Sequence, residues 1–161
     1  MTTELRDVTG KRGERIVELR LTDYKAFPRP LFRPGYLGDK WPCIDFYVEL
    51  EEIFGRRPYF FVQAKSTTSA LGPNSRSVRI STKKKDIAGL LEIPGPTYIL
   101  GVHEPSQRVF VQSIHNGTPL KAISRIALKH ELTATNLQML HDEVRRFWGT
   151  KGNKPRSSVF A

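Results

Sequence analysis

Residues 58–65 read Pro58-Tyr59-Phe60-Phe61-Val62-Gln63-Ala64-Lys65. Aromatic and β-branched residues fill the first part of this stretch, which predicts a β-strand that is apolar enough to lie in the centre of a sheet. The stretch ends with two polar side chains, Gln63 and Lys65. Because side chains alternate along a strand, these two are expected to point to the same face. The stretch therefore predicts a central strand that carries polar groups at its carboxyl end.

A second strand is predicted at Cys43–Leu50, and the intervening residues Glu51–Arg57 have the composition of a hairpin loop. If the two strands pair, Asp45 lies across from Gln63 and Lys65. Three polar groups then meet on an otherwise apolar sheet, where burial is costly unless the groups bind something. A divalent cation with its waters is a natural occupant of such a site.

The residues before these strands are predicted to form one helix and one irregular segment. The helix spans Arg6–Asp23, with a start nearer Lys11 because Gly10 and Gly13 weaken its first turns. The segment Phe27–Pro42 is interrupted repeatedly by proline and glycine, so it has room for one short strand and not for a helix.

The elements after the central strand are predicted from their apolar periodicity and their turn residues. Ser81 or Thr82 is expected to cap the first helix among them, and Thr133 or Thr135 the last. In chain order they are a polar loop over Ser66–Ser77, a short strand over Val78–Ile80, a helix over Lys83–Glu92, strands over Thr97–His103 and Arg108–Ile114, a short helix near Lys121–Leu128, and a helix ending at Trp148.

This order predicts a mixed α/β fold in which helices flank a central sheet. The chain has 161 residues, 39% of them hydrophobic and 26% charged, which fits one globular domain. We expect that domain to span residues 1–148. Residues 149–161 are basic and contain Gly, Pro and Ser, so they are expected to form a flexible tail.

The charge balance gives the first indication of function. Lys and Arg number 26 against 16 Asp and Glu, which gives a net charge of +10 and favours a polyanionic partner, nucleic acid before a membrane surface. The apolar runs are too short to cross a bilayer, and no basic amphipathic helix stands out, so no membrane partner is expected. Cys43 is the only cysteine, which excludes an intramolecular disulfide and a cysteine-rich zinc site. We therefore expect a cytoplasmic protein.

The polar groups of the paired strands suit phosphodiester cleavage. Mg²⁺ prefers oxygen ligands and retains several waters, and it can activate one of those waters for attack. Asp45 would supply a carboxylate, Gln63 an amide oxygen and Ala64 its backbone carbonyl. Lys65 would orient or help to deprotonate the water. Glu14 of the first helix is either a further ligand or a solvated helix residue paired with a neighbouring charge.

The same residues carry a resemblance to a known family. The chain resembles the PD-(D/E)XK nucleases, in particular the Gln-x-Lys branch that includes Mrr-type endonucleases and the DUF4365 group. The resemblance spans Thr9 to Ile114 and implies a restriction endonuclease-like αβββαβ core, Mg²⁺ or Mn²⁺ as cofactor, DNA hydrolysis, and a site of Glu14, Asp45, Gln63 and Lys65. The matching segments are Gly13-Glu14, Ile44-Asp45, Val62-Gln63-Ala64-Lys65-Ser66, Pro96–Val102 and Arg108–Val111.

Candidate phosphate contacts surround this site in the sequence. One group lies beside Glu14 on the first helix, another in the loop after the central strand, and a third at a helix start, where backbone N–H groups already favour anions. For the group beside Glu14, the alternative is an ordinary solvated face of the helix. The candidates are Lys11, Arg12, Arg15, Ser66, Arg76, Lys83, Lys84 and Lys85.

Three hypotheses for function follow. The first is a metal-dependent DNA endonuclease, in a prokaryotic defence or mobile-element system. The second is a catalytically inactive, nuclease-fold DNA-binding module, which Gln63 keeps open because it replaces the acidic residue of the family motif. The third is a subunit that acts only with a partner protein. Because double-strand cutting by a single site generally needs two copies, a homodimer or a partner protein is expected alongside DNA.

Overall fold

The computed structural model describes residues 2–53, 55–150 and 158–161. Within these ranges no helix has the length and apolar character that a membrane crossing requires. The helices are α1 (Thr3–Leu21), α2 (Lys84–Glu92) and α3 (Ala134–Gly149). The strands are β1 (Arg33–Tyr36), β2 (Phe46–Glu49), β3 (Tyr59–Thr67), β4 (Ser77–Arg79), β5 (Thr97–His103), β6 (Arg108–Ile114) and β7 (Arg125–Ala127).

Five strands form a central mixed sheet in the order β1-β2-β3-β5-β6. The pairs β1–β2, β2–β3 and β5–β6 are antiparallel, whereas β3 and β5 are parallel. Parallel neighbours need a long crossover, and here it carries β4 and α2 across one face of the sheet. The two remaining strands, β4 and β7, pair with each other outside the central sheet and are called the β4–β7 ribbon below. The expected mixed α/β fold with a central sheet and flanking helices is confirmed.

Two apolar cores pack against the two faces of the sheet. Alternation along β5 sends Tyr98, Leu100 and Val102 to one face and Ile99 to the other, as strand geometry requires. The first face is covered by α1 and α3, whose buried residues include Val17, Leu21, Leu137, Leu140 and Val144. The second is covered by α2 and the β4–β7 ribbon, through Ile87, Leu90, Val78, Ile80 and Ile126.

Helix α1 passes through both of its glycines, so the expected start near Lys11 is wrong. The helix is held against β3 at Gly13, which is buried. A Cβ built on Gly13 would lie 1.7 Å from Ser66 Oγ and 3.0 Å from Ser66 Cβ. Only glycine therefore allows the helix backbone to come so close to the strand. Ser66 itself belongs to β3 and not to a loop, which corrects the sequence interpretation.

The start of α2 differs from the predicted one. Neither Ser81 nor Thr82 caps the helix, because the Thr82 hydroxyl is bound to Ile123, donating to its carbonyl at 2.9 Å and accepting from its N–H at 2.7 Å. Lys83 is the cap residue, and its N–H donates to the Asp86 carboxylate at 3.2 Å. The start of α3 is as expected, since Thr133 accepts the Asn136 N–H at 3.3 Å.

The short helix predicted near Lys121–Leu128 is wrong. Residues Arg125–Ala127 form β7, and a single 3₁₀ turn follows at Leu128–His130. The segment is too short for its sequence to distinguish helix from strand. Its conformation is set by pairing with β4 and by the burial of Ile126 against the central sheet.

The expected flexible tail is corrected at its far end. Residues 151–157 lie outside the described ranges. Residues 158–161 are packed onto the domain: Phe160 is buried, and its carbonyl accepts the Ser113 N–H at 2.8 Å. Buried Glu143 of α3 accepts the Ser158 hydroxyl at 2.7 Å and the Val159 N–H at 3.2 Å. A carboxylate held in the core thus anchors this segment.

We predict that Gly13→Ala lowers the free energy of unfolding by about 1–3 kcal/mol, as overpacking typically does. The hydroxyl of Ser66 can rotate away, but its Cβ stays 3.0 Å from the added methyl group. Gly10→Ala is the matched control on the same helix, because its Cβ would have no neighbour within 4 Å. It should gain up to about 1 kcal/mol. Urea unfolding measures both, and equal stabilities would contradict the close approach of α1 to β3.

Candidate active site

Asp45 lies at the point where the β2–β3 ladder ends. The ladder begins with Phe46 opposite Val62, and the Asp45 N–H still donates to the Val62 carbonyl at 2.8 Å. Beyond it the Asp45 carboxylate accepts the Ala64 N–H at 2.7 Å. The side chain thus replaces the strand carbonyl that would otherwise satisfy this donor. Because the N–H and C=O of a strand residue point to the same edge, the Ala64 carbonyl faces the Asp45 side as well.

Gln63 and Lys65 share one face of β3, as the sequence predicts. Their partners on β5 are Ile99 and Gly101, which lie on the face covered by α2 and the ribbon. The Gln63 side chain is buried at 4% exposure. Its Oε1 is also buried, and it accepts no hydrogen bond from any residue that the structure describes. An acceptor left in this state is costly unless a ligand completes it.

Asp86, which the sequence analysis missed, lies next to Lys65. Its Oδ2 is 3.7 Å from Lys65 Nζ, and its Oδ1 is 3.7 Å from the Cys43 sulfur. Asp86 is buried in the first turn of α2, whereas Lys65 is 27% exposed at its side chain. The pair therefore holds the Lys65 amine at the edge of the site. An acidic residue directly after Lys83-Lys84-Lys85 was the available sequence signal, but nothing in the sequence linked it to β3.

Glu14 reaches the site from α1, on the opposite face of the sheet. Its carboxylate accepts a hydrogen bond from the Tyr36 hydroxyl of β1. Beside it lies an open hollow of about 310 Å³ whose walls include Phe46 and the basic residues Lys11 and Arg15. Glu14 is thus close to the predicted site, but its carboxylate is already engaged by a phenol.

The carboxylates influence one another electrostatically. Burial raises the pKa of Asp45, and Asp39 and Asp86 add to the rise, whereas the Ala64 N–H and Lys65 oppose it. Burial also raises the pKa of Glu14; the Tyr36 hydrogen bond lowers it, and Asp45 and Asp39 raise it. Asp45 therefore interacts electrostatically both with Glu14 and with Lys65.

The donor set fits a hard divalent cation in part. Among the described residues, no group of three or more His, Cys, Asp or Glu side chains is placed to hold a metal ion. The candidate ligands are instead oxygens of different kinds: the Asp45 carboxylate, the Ala64 carbonyl and the unpartnered Gln63 Oε1. Mg²⁺ accepts such a mixture because it keeps several waters. The orphaned amide oxygen is the observation that favours a cation here.

The predicted phosphate contacts are found in different places. Lys11 and Arg15 line the hollow beside Glu14. Arg12 is exposed but forms an ion pair with Glu104, and the Ser66 hydroxyl faces Gly13 of α1. The remaining candidates are exposed, at the start of the ribbon and of α2: Arg76, Lys83, Lys84 and Lys85.

Comparisons with known proteins give no assignment. No family model matches the chain, and neither a curated protein nor a solved structure is significantly similar to it. The resemblance to PD-(D/E)XK nucleases therefore stays a prediction from the quoted motifs.

We predict that Gln63→Leu raises the free energy of unfolding by about 1–3 kcal/mol, because it removes a buried acceptor that has no partner in the part of the chain that the structure describes. Gln138→Leu is the control, since the Gln138 amide donates to Asp142 at 2.9 Å on the surface of α3. Chemical denaturation measures both. Mn²⁺ should raise the melting temperature of the wild type and not that of Gln63→Leu. A destabilised Gln63→Leu protein would contradict this reading of the amide.

A pH dependence follows from the raised pKa of Asp45. The folded state binds this proton more tightly than the unfolded state, so the carboxylate destabilises the fold progressively as pH rises from about 4 through the raised pKa. Asp45→Asn keeps an oxygen for the Ala64 N–H and removes the charge. Denaturation over a pH series should give equal stabilities at low pH and a more stable variant at neutral pH. A variant that is less stable at neutral pH would contradict the assignment.

Proposed function

We propose that this protein is a metal-dependent DNA endonuclease whose site is formed by Asp45, Gln63, Ala64 and Lys65. The observation that carries the proposal is the buried Gln63 Oε1, which has no partner among the described residues and lies one residue before the amide that the Asp45 carboxylate binds. Asp45 satisfies the Ala64 N–H, but packing at an apolar sheet end does not require the Gln63 amide. A cation that bridges the protein to a phosphate would give its Oε1 a partner.

The order of elements supports the proposal. Helix α1 is followed by the antiparallel strands β1, β2 and β3, then by α2 and by β5, which lies parallel to β3. Apart from the short β4 in the crossover, this agrees with the αβββαβ order of a restriction endonuclease-like core. The net charge of +10 supports a polyanionic substrate.

Each residue of the site has a role in this proposal. Asp45, Gln63 and the Ala64 carbonyl would hold Mg²⁺ or Mn²⁺. When bound, the ion polarises the phosphate and lowers the pKa of a coordinated water. Lys65 offsets phosphate charge and orients the attacking water, and Asp86 at 3.7 Å fixes the position of the amine. Glu14 and Tyr36 bound the site on the α1 side.

A second candidate function is DNA binding without cleavage. It is favoured by the absence of a group of three acidic, His or Cys ligands among the described residues, and by the neutral Gln63 where the motif has an acidic residue. Such a module binds DNA in a salt-sensitive way but does not cut it, whichever metal is added. In either case we propose that the protein acts as a homodimer or with a partner protein if both strands are processed.

We predict that Asp45→Asn and Lys65→Ala each reduce Mg²⁺- or Mn²⁺-dependent cleavage of plasmid DNA by at least about a hundredfold, the usual cost of removing one electrostatic partner of a transition state. Asp142→Asn is the matched control. Asp142 lies on α3 with its side chain 52% exposed, and its substitution should leave the rate unchanged.

Two results would decide against the nuclease proposal. Cleavage that survives in both Asp45→Asn and Lys65→Ala would show that the site is elsewhere. Salt-sensitive DNA binding without cleavage by the wild type, under any divalent metal, would favour the binding module.

A further inference from the structure

Two arginines are paired directly across the β4–β7 ribbon. Arg79 of β4 is the register partner of Arg125 of β7, and both side chains are exposed. Residues opposite each other in an antiparallel pair have Cβ atoms about 5 Å apart, and like charges in this position destabilise the pair. Neither arginine forms an ion pair with an acidic group of the described residues. The ribbon therefore presents two positive charges that have no acidic partner among the described residues.

The ribbon lies on the same face of the sheet as Lys65. A Cβ built on Gly101 would come within 2.8 Å of Ile126 Cδ1 and 2.9 Å of Ile80 Cγ2, so both sides of the ribbon pack onto this glycine. Gly101 is also the β5 partner of Lys65. A larger residue at position 101 would hold the ribbon away from the sheet. The double arginine is thus carried by an element that packs on β5, the strand next to the one that carries Lys65.

Backbone hydrogen bonds at both ends hold the two strands of the ribbon to each other. The Ile80 N–H donates to the Ser124 carbonyl at 3.0 Å, and the Leu128 N–H donates to the Arg76 carbonyl at 3.0 Å. These bonds extend the pairing beyond the two short strands. On the α2 side, the buried hydroxyl of Thr82 makes its two hydrogen bonds to Ile123. A rigid support lowers the entropic cost of binding through long side chains.

The two segments that build the ribbon are free of acidic residues. There is no Asp or Glu from Ser66 to Lys85, and none from Pro105 to His130. The same segments contain basic residues that are exposed around the arginine pair, namely Arg76, Lys83, Lys84, Lys85, Lys121 and Lys129. This charge distribution is complementary to a polyanion and leaves the ribbon no acidic neighbour within its own segments.

We propose that the β4–β7 ribbon is the DNA-backbone contact of this protein, with Arg79 and Arg125 as a phosphate clamp. The proposal rests on the proposed function, because it assigns the surface that brings DNA to the Lys65 face of the sheet. Guanidinium groups bind phosphate oxygens through paired, charge-assisted hydrogen bonds, and a phosphate between the two arginines removes their mutual repulsion. Contacts of this kind position a duplex and carry no sequence information.

The proposal is tested by measuring DNA binding under conditions that prevent metal-dependent cleavage. Fluorescence anisotropy of a labelled DNA duplex is recorded in EDTA over about 50 to 200 mM salt for the wild type and for Arg79→Gln/Arg125→Gln. We expect the affinity of the double variant to fall at least about tenfold, and its salt slope to fall by about 1 for each phosphate that is no longer bound. Arg145→Gln/Arg146→Gln removes the same charge from exposed positions of α3, on the other face of the sheet, and should change affinity much less.

A second variant separates a folding defect from a binding defect. Arg79→Glu places an acidic residue opposite Arg125, which should raise the melting temperature while it weakens DNA binding. Equally weakened binding in the two double variants, or an unchanged affinity in the ribbon variant, would overturn the clamp. So would binding of the wild type to phosphatidylserine vesicles but not to DNA. A wild type that binds DNA through the ribbon but never cuts it would overturn the nuclease and leave the clamp intact.

Discussion

The parallel pairing of β3 with β5 is the constraint on which the rest of the structure depends. Strand β3 is antiparallel to β2 on one side and parallel to β5 on the other, and a parallel partner cannot be reached by a tight turn. The chain must therefore cross a face of the sheet between the two strands. That crossover brings β4 and α2 onto the face of Gln63 and Lys65, and the register of the ladder places Gly101 beside Lys65.

The candidate site concentrates features that lower stability. Gln63 has a buried acceptor without a partner among the described residues, and burial raises the pKa of Asp45. Two residues before Asp45, the backbone of Cys43 has a positive φ of 64°, which is unfavourable for a residue with a Cβ. Among the described residues, one other buried side-chain atom has no partner, His130 Nδ1, whereas buried groups such as the Glu143 carboxylate are satisfied, here by the Tyr98 hydroxyl at 2.8 Å. Destabilising features that are concentrated at one end of a sheet are typical of a site selected for binding or catalysis.

Much of the fold could be predicted because its strands are long and strongly apolar. The strands corresponding to β2, β3, β5 and β6 were expected from composition and alternation. The bounds of β5 and β6 are those predicted, whereas the ends of β2 and β3 differ by a few residues. The failures occur where local preference is weak. The segment of β7 forms a strand because it pairs with β4. Phe160 is buried because its segment is hydrogen-bonded to α3 and β6. Such contacts join residues far apart in the chain, and no local pattern records them.

The sequence by itself determined the strand that carries Gln63 and Lys65, their common face, and the basic character of the protein. Strand alternation and composition are local properties, so they need no knowledge of the fold. Only the tertiary structure decided that Asp45 binds the Ala64 N–H, that Asp86 reaches Lys65, and that Arg79 and Arg125 lie opposite each other in the ribbon. Each of these contacts depends on where a crossover or a ladder ends. The packing of the whole chain determines those end points.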